Sequence, residues 1–167
     1  VKANSSLGIL QILAAEGAGA DIVSAGEMIR ALKAGIEASD IVFSGVGKSD
    51  AELRFALDNG IGQINAESKA EVERIGFIAA EMGVVAPVAL RVNVDVDAKS
   101  HEKISTGQKD TKFGISVADG QAEQLYHWLC EHPHLRACGL AVHIGSQLTS
   151  LEPFEMAYTE LLAVADR

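Results

Sequence analysis

The sequence predicts an α/β fold laid out as part of a closed βα barrel. Three observations point there. Short β-branched runs alternate with longer helical patterns along the 167 residues. The strand centres near Ile22, Val42, Ile64 and Leu90 lie 20, 22 and 26 residues apart, the period of a repeated βα unit with parallel strands. The competing architecture, an open doubly wound sheet, asks for a Gly-rich dinucleotide turn. Gly45-Val46-Gly47 fails that test, because Asp50 stands where the third Gly belongs. A complete barrel takes about 250 residues. The chain therefore supplies about six of the eight units and is expected to be a partial (β/α)8 TIM barrel over residues 1–167.

The elements follow in order. Val1-Lys2-Ala3 reads as the tail of a first strand, and Asp21-Ile22-Val23-Ser24 as the second. A helix from Gly26 to Ala34 sets Met28, Ile29 and Leu32 on one face. Asp40 to Ser44 is the next strand. Ser49 then caps a helix with Glu52 three residues on, a capping box, and Asn59-Gly60 stops it. Ile61 to Ala66 is a strand. Ser68 and Glu71 repeat the cap signal for a helix that ends near Met82-Gly83. Val88 to Val94 and Leu135 to Ile144 complete six strands. An amphipathic helix spans Asp119 to Glu131, and another starts near Pro153. The polar stretch from Asp95 to Ser116 breaks the rhythm after a strand's C-terminal end, which in a βα barrel is the catalytic face.

Composition removes several function classes. A formal charge of −9 without a basic run argues against binding nucleic acid or an anionic membrane surface. No run of 18 apolar residues is present, so a membrane span is not expected. Two cysteines, Cys130 and Cys138, do not make a disulfide framework, and a reducing cytoplasm fits them. Metal binding is not expected either. His101-Glu102 begins like a zinc-protease helix, yet Ser105 takes the second ligand's place. His127, His132 and His134 lack matching cysteines. Gly47-Lys48-Ser49 mimics a phosphate loop, but Val42 occupies the position of its first Gly. Gly145-Ser146 is not a nucleophile elbow.

Polar residues recur where strands finish: Lys2, Asp21, Ser24, Glu67, Arg91, Asn93, His143 and Ser146. If the strands are parallel, all of these ends face one mouth. A lysine at a strand's inner end can be desolvated into a free amine that forms a Schiff base, or it can be a plain surface lysine. His143 can stack on a flat ligand or be a hydrogen-bonded strand-end histidine. Ser146 can donate to a phosphate.

These segments together resemble fold type III pyridoxal phosphate enzymes, the alanine racemase/ornithine decarboxylase-like barrels. Val1-Lys2-Ala3-Asn4 is similar to the end of that family's Tyr-Ala-Val-Lys-Ala-Asn motif. Asp21-Ile22-Val23-Ser24 with Gly26-Glu27, Gly45-Val46-Gly47-Lys48, Lys112-Phe113-Gly114-Ile115 and His143-Ile144-Gly145-Ser146-Gln147 match four further signatures in order. Within the group, His101 to Gly107 leading into Lys112-Phe113-Gly114, and the Gln147 after Ser146, resemble diaminopimelate decarboxylases.

The resemblance implies a cofactor, pyridoxal 5'-phosphate, and a role for each matching position. Lys2 would hold the cofactor covalently, His143 would stack on its ring, and Ser146 would contact its phosphate. Asp21 and Arg91 would lie beside it, with Lys2 and His143 the catalytic pair. Lys112 would sit near a dimer interface. The implied reaction is decarboxylation of meso-diaminopimelate to L-lysine and carbon dioxide, the last step of lysine biosynthesis, by a homodimer. The start of the barrel and a C-terminal β domain would lie outside this chain, and the piece alone would be inactive. Related decarboxylases acting on ornithine, arginine or carboxynorspermidine stay open as alternatives. So do a noncatalytic pyridoxal phosphate-binding barrel and a scaffold barrel.

Overall fold

The computed structural model describes residues 1–94 and 113–166. The segment His101 to Gly107, Lys112 and most of the expected loop from Asp95 lie outside those residues. The described chain runs α1 (Leu7–Ala15), β1 (Ala20–Ile22), α2 (Ala25–Lys33), β2 (Ile41–Phe43), α3 (Asp50–Asp58), β3 (Gln63–Ala66), α4 (Lys69–Met82), β4 (Ala86–Asn93), β5 (Ile115–Ser116), α5 (Gln121–Glu131), β6 (Leu135–Ala141) and α6 (Glu152–Ala165). None of these helices is long and apolar enough to cross a membrane.

Every strand pairing is parallel. The order is β1-β2-β3-β4. Two strands then share the far edge of β4: β6 lies along Ala86–Arg91, and β5 along Val92 and Asn93. The result is an α/β fold around one parallel sheet, which is open among the described residues.

Register sorts the side chains. Ile22 pairs with Phe43, and Phe43 with Ile64. Ile64 pairs with Val88, and Ala66 with Leu90. All six are fully buried in one cluster with Met28 and Ala31 of α2, Leu53 and Ala56 of α3, and Val72, Ile75 and Ile78 of α4. That cluster is the core, and it lies between the sheet and its crossover helices. Strand β4 is buried continuously from Ala86 to Leu90, as expected for a parallel strand covered on both faces.

The helix signals mostly hold. Ser49 and Glu52 form a complete capping box. Gly83 ends α4 in the left-handed region at φ 66°, where lack of a Cβ removes the steric cost. At α4's start the box is only half formed. The Ser68 hydroxyl accepts from the Glu71 N–H, but the Glu71 carboxylate turns elsewhere, to Lys48 and the Glu67 N–H.

Three elements differ from expectation. Val1–Ala3 is not a strand, although the Val1 amino group donates to the Asp21 carbonyl at 2.7 Å. Ile115–Ser116, placed by the sequence at the end of a loop, is a two-residue strand, because Ile115 buries its side chain beside Val92. Helix α1 had no signal. Its sequence LGILQILAA has no polar stripe, and Ile9, Ile12 and Leu13 are exposed while Leu10 alone is buried.

Two tests follow from this frame. A methyl group at Gly62 would lie 2.0 Å from the Ser39 carbonyl oxygen, a backbone atom that cannot swing aside. Gly62→Ala is therefore expected to lose about 1–3 kcal/mol in denaturant unfolding, whereas Gly8→Ala in α1, with open space around it, loses nothing. The second concerns Glu52. The Ser49 backbone N–H, the Ser49 hydroxyl and the Ala25 N–H hold its carboxyl below the ordinary value of 4.5. A lowered folded pKa means that the unfolded chain binds the extra proton. The contribution is complete above the ordinary carboxylate range and is lost as pH falls through the lowered value. Glu52→Gln should cost about 0.5–1 kcal/mol at neutral pH, the size of a cap interaction. Thermal melts should show the gap from wild type closing as the solution is acidified below the ordinary range.

Candidate functional site

The register that builds the core leaves a second set of residues on the opposite face of the sheet. Asp21 pairs with Val42 in β1–β2. Asn65 pairs with Ala89, and Arg91 with Ala141. Side chains alternate along a strand, so Asp21, Ser44, Gln63, Asn65 and Arg91 share this face. Their positions climb toward the strands' C-terminal ends. A parallel sheet gathers those ends on one rim.

Strand β6 reaches the same rim through a register shift. Val88 pairs with Ala137, but Ala89 pairs with Gly139, leaving Cys138 as the extra residue of a bulge. Without it, every later side chain of β6 would face the other way. With it, Ala141 stands beside Arg91, and His143 two residues on enters the rim.

A cleft of about 440 Å³ opens there, bounded by Lys2, Asp21, Ser44, Gly45, Asn65, Glu67, Arg91 and His143 among others. Four of the five residues singled out from the sequence line it: Lys2, Asp21, Arg91 and His143. Ser146 does not; it is exposed in the loop three residues past His143. That loop is unusual in its backbone. Gly145 has φ 131°, and Gln147 at φ 60° is the one non-Gly residue in the left-handed region among those described.

Polar contacts knit the rim. The Ser44 hydroxyl donates to Asp21 Oδ2 at 3.1 Å, and the Asn65 amide donates to Ser44 Oγ at 3.0 Å. Gln63 Nε2 donates in turn to Asn65 Oδ1 at 2.8 Å. Arg91 Nη1 donates to both Glu67 carboxylate oxygens at 2.9 and 2.8 Å. That pair is largely removed from water, the side chains being 16% and 8% exposed. The Arg91 guanidinium also stands 5.9 Å from the centre of the Phe113 ring, within cation–π range. Gly45 begins the loop after β2 at φ 92°, and a Cβ there would press on Val23 at 3.3 Å, so this turn approaches the β1 exit as closely as glycine allows.

Lys2 and His143 are exposed and take part in no hydrogen bond or ion pair among the described residues. They offer an amine and an imidazole to the cleft. Asp21 supplies a carboxylate and Arg91 a cation. This donor set fits an anionic, flat ligand that reacts with an amine, which is the chemistry of pyridoxal phosphate. No group of three metal-ligating side chains is present among the described residues.

Sequence reasoning missed Ser44 and Asn65 as members of the rim. Ser44 and Asn65 carry no motif. Their alternation with Ile22, Phe43 and Ile64 on adjacent strands was the available signal, and reading it needs the register. A second cavity of about 280 Å³ lies away from the rim between α5, β6 and α6, lined mainly by apolar groups with Tyr126 and His127. Burial, and then the Cys130 and Cys138 thiols, push the Tyr126 hydroxyl's pKa up.

Comparison with known proteins adds to this geometry. Residues 1–167 match the family model described as pyridoxal-dependent decarboxylase, pyridoxal binding domain. The chain is 53% identical over its whole length to the diaminopimelate decarboxylase of Pseudomonas aeruginosa, covering 40% of that protein. It is 54% identical over 168 aligned residues to that of Pseudomonas fluorescens, again covering 40%. Among solved structures, a diaminopimelate decarboxylase variant from Helicobacter pylori complexed with L-lysine superposes with a TM-score of 0.90 at 43% identity, over 98% of this chain and 41% of that one. A diaminopimelate decarboxylase from m. jannaschii, also in complex with L-lysine, gives 0.87 at 37% identity, over 96% of this chain and 37% of that one. The chain thus spans about two fifths of the length of these relatives.

Proposed function

Because the chain belongs to the pyridoxal-dependent decarboxylases, matching their pyridoxal-binding domain from end to end, we propose that it is the cofactor-binding part of an enzyme that converts meso-diaminopimelate to L-lysine and carbon dioxide. The observation that carries the reading is the cleft itself: Lys2, Asp21, Arg91 and His143 meet at one rim although they are spread over 142 positions of sequence. The identity of 53–54% to diaminopimelate decarboxylases supports the choice of substrate. In this reading the open sheet is part of a closed (β/α)8 barrel. The full-length protein adds the remaining units and a C-terminal β domain, and works as a cytoplasmic homodimer.

Each residue's part follows from its place. Lys2 would hold pyridoxal phosphate through its ε-amine, which nothing among the described residues engages. It would take up and return a proton at that nitrogen when the substrate's amine displaces it. His143, exposed beside the cleft, presents a flat imidazole face against which a ring can stack. Asp21, its carboxylate held by Ser44, fixes a hydrogen-bond acceptor and negative charge in the same cleft as the lysine. Arg91 is anchored by Glu67, and its remaining N–H groups can take a further acceptor. Ser146, in the loop after His143, would donate to the phosphate. Bound pyridoxal phosphate supplies the electron sink for the carbanion left when carbon dioxide departs.

The test is an assay of the full-length enzyme. Lysine and carbon dioxide should form from meso-diaminopimelate only with pyridoxal phosphate present. Ornithine, arginine and carboxynorspermidine should turn over at least tenfold more slowly. Lys2→Ala should abolish turnover and the visible absorbance of bound cofactor. His143→Ala should weaken cofactor binding. Normal lysine formation by Lys2→Ala would sink the assignment. Preferred turnover of another amino acid would move the substrate and leave the cofactor site in place.

A further inference from the structure

Lys48 belongs to none of the roles above, yet it is the most deeply buried charge of the described chain. Its side chain is 1% exposed. An ammonium has three N–H donors, and all three are used. Nζ donates to the Gly45 carbonyl at 2.6 Å, the Asn65 carbonyl at 2.7 Å and Glu71 Oε1 at 3.1 Å. The Phe43 ring centre lies 5.7 Å away and closes the apolar side.

Two arms lead from this ammonium to the cleft. On one, the second Glu71 oxygen accepts the Glu67 N–H at 2.7 Å, and the Glu67 carboxylate receives Arg91. On the other, Lys48 grips the carbonyl of Asn65, whose side chain holds Ser44, which holds Asp21. The third bond fixes the Gly45 turn between these arms. We propose that Lys48 is a positioning residue of the cleft, setting the places of Arg91 and Asp21 from a point that touches neither. Stability alone gives no reason for a cation here, since burying a charge costs several kcal/mol and an apolar side chain of similar volume is often neutral or better. What an apolar replacement cannot do is hold two carbonyls and a carboxylate from two successive βα units.

This inference rests on the cofactor-site reading only for its ligand readouts. The variant is Lys48→Met in the full-length protein, which keeps length and apolar volume while removing the three bonds. In the cofactor-free protein, hydrogen exchange at the Glu67 amide should quicken at least tenfold, while amides in the middle of α5 keep their protection. Affinity for pyridoxal phosphate, titrated by its absorbance and fluorescence, should weaken at least fivefold. In the loaded enzyme, kcat should fall more than tenfold with KM changed less than threefold, at a temperature well below either protein's Tm. Lys48→Arg, which restores the charge and the donors, should recover part of each effect. If Lys48→Met does not fold, Glu71→Gln, which weakens one arm only, is expected to show the same local exchange and the same kcat loss at smaller size. Unchanged exchange at Glu67 with wild-type affinity, or protection lost evenly through the fold, would overturn the proposal. A wild-type protein that does not bind pyridoxal phosphate would instead defeat the functional reading, and the exchange comparison at Glu67 would still decide the role of Lys48.

Discussion

Parallel pairing is the constraint on which the rest of this structure depends. Each strand must return to the same end of the sheet before it can pair, and among the described elements a helix intervenes between β1 and β2, β2 and β3, β3 and β4, and β5 and β6. The helices then bury one face of the sheet, with Ile22, Phe43, Ile64 and Leu90 beneath them. The other consequence is vectorial. All strands finish on the same side, so whatever a strand carries in its last residues is delivered to one rim. Asp21, Asn65, Arg91 and His143 belong to different βα units and meet for that reason alone. No local sequence motif could have brought them together.

Assembling charges at one rim creates a second problem, which is their partial removal from water. The chain answers with alternating signs. Lys48 meets Glu71, and Glu67 meets Arg91. The two pairs are joined by a backbone N–H rather than by direct contact between the carboxylates. Among the described residues no buried side-chain nitrogen or oxygen lacks a hydrogen-bond partner. Exposed ion pairs between α3 and α4, Arg54 with Glu81 and Arg74 with Asp50, belong to a different class. They lie in high dielectric and contribute little. The rim pairs matter for where they put groups, because a desolvated charge that loses its partner has no solvent to fall back on.

Much of this was legible in the residues. The βα period, the Ser49–Glu52 box and the Gly83 stop all come from short-range chemistry, and all are found in the structure. Asp21, Arg91 and His143 could be placed at or just past strand ends by the same reading, and they line one cleft together with Lys2, although Val1–Ala3 is not the strand expected there. What escaped depended on partners distant in sequence. Glu71 reads as a capping-box acid, yet its carboxylate serves Lys48, which is 23 positions earlier in the chain. Helix α1 has apolar residues on every side, so it lacks the periodic stripe that marks a surface helix. Ile115–Ser116 is too short to show alternation and becomes a strand only because β4 extends past β6 and offers a free edge.

The two ends of the sheet have been built by different means. At the strand entries the backbone itself is packed tightly. A Cβ on Gly19 would lie 2.4 Å from the Asp40 carbonyl oxygen, and one on Gly62 would lie 2.0 Å from that of Ser39. Both glycines press on the single turn Ala38–Asp40 that leads into β2, so β1, β2 and β3 are locked together at their starts without any charged group. At the strand exits the approaches are looser, a Cβ on Gly45 meeting the Val23 side chain at 3.3 Å and one on Gly114 the Arg91 carbonyl at 3.0 Å, and position is held further by hydrogen bonds from Lys48, Glu71, Ser44 and Asn65. Backbone packing has essentially one solution, whereas a hydrogen-bonded rim can shift by small amounts as a ligand arrives and partners are exchanged. A parallel sheet that fixes its entries sterically can therefore leave its exits to chemistry. The bulge at Cys138 shows how the two are reconciled on β6: the strand enters in register with the packed end at Ala86 and Leu135, slips by one residue at Val88, and leaves with His143 turned into the cleft.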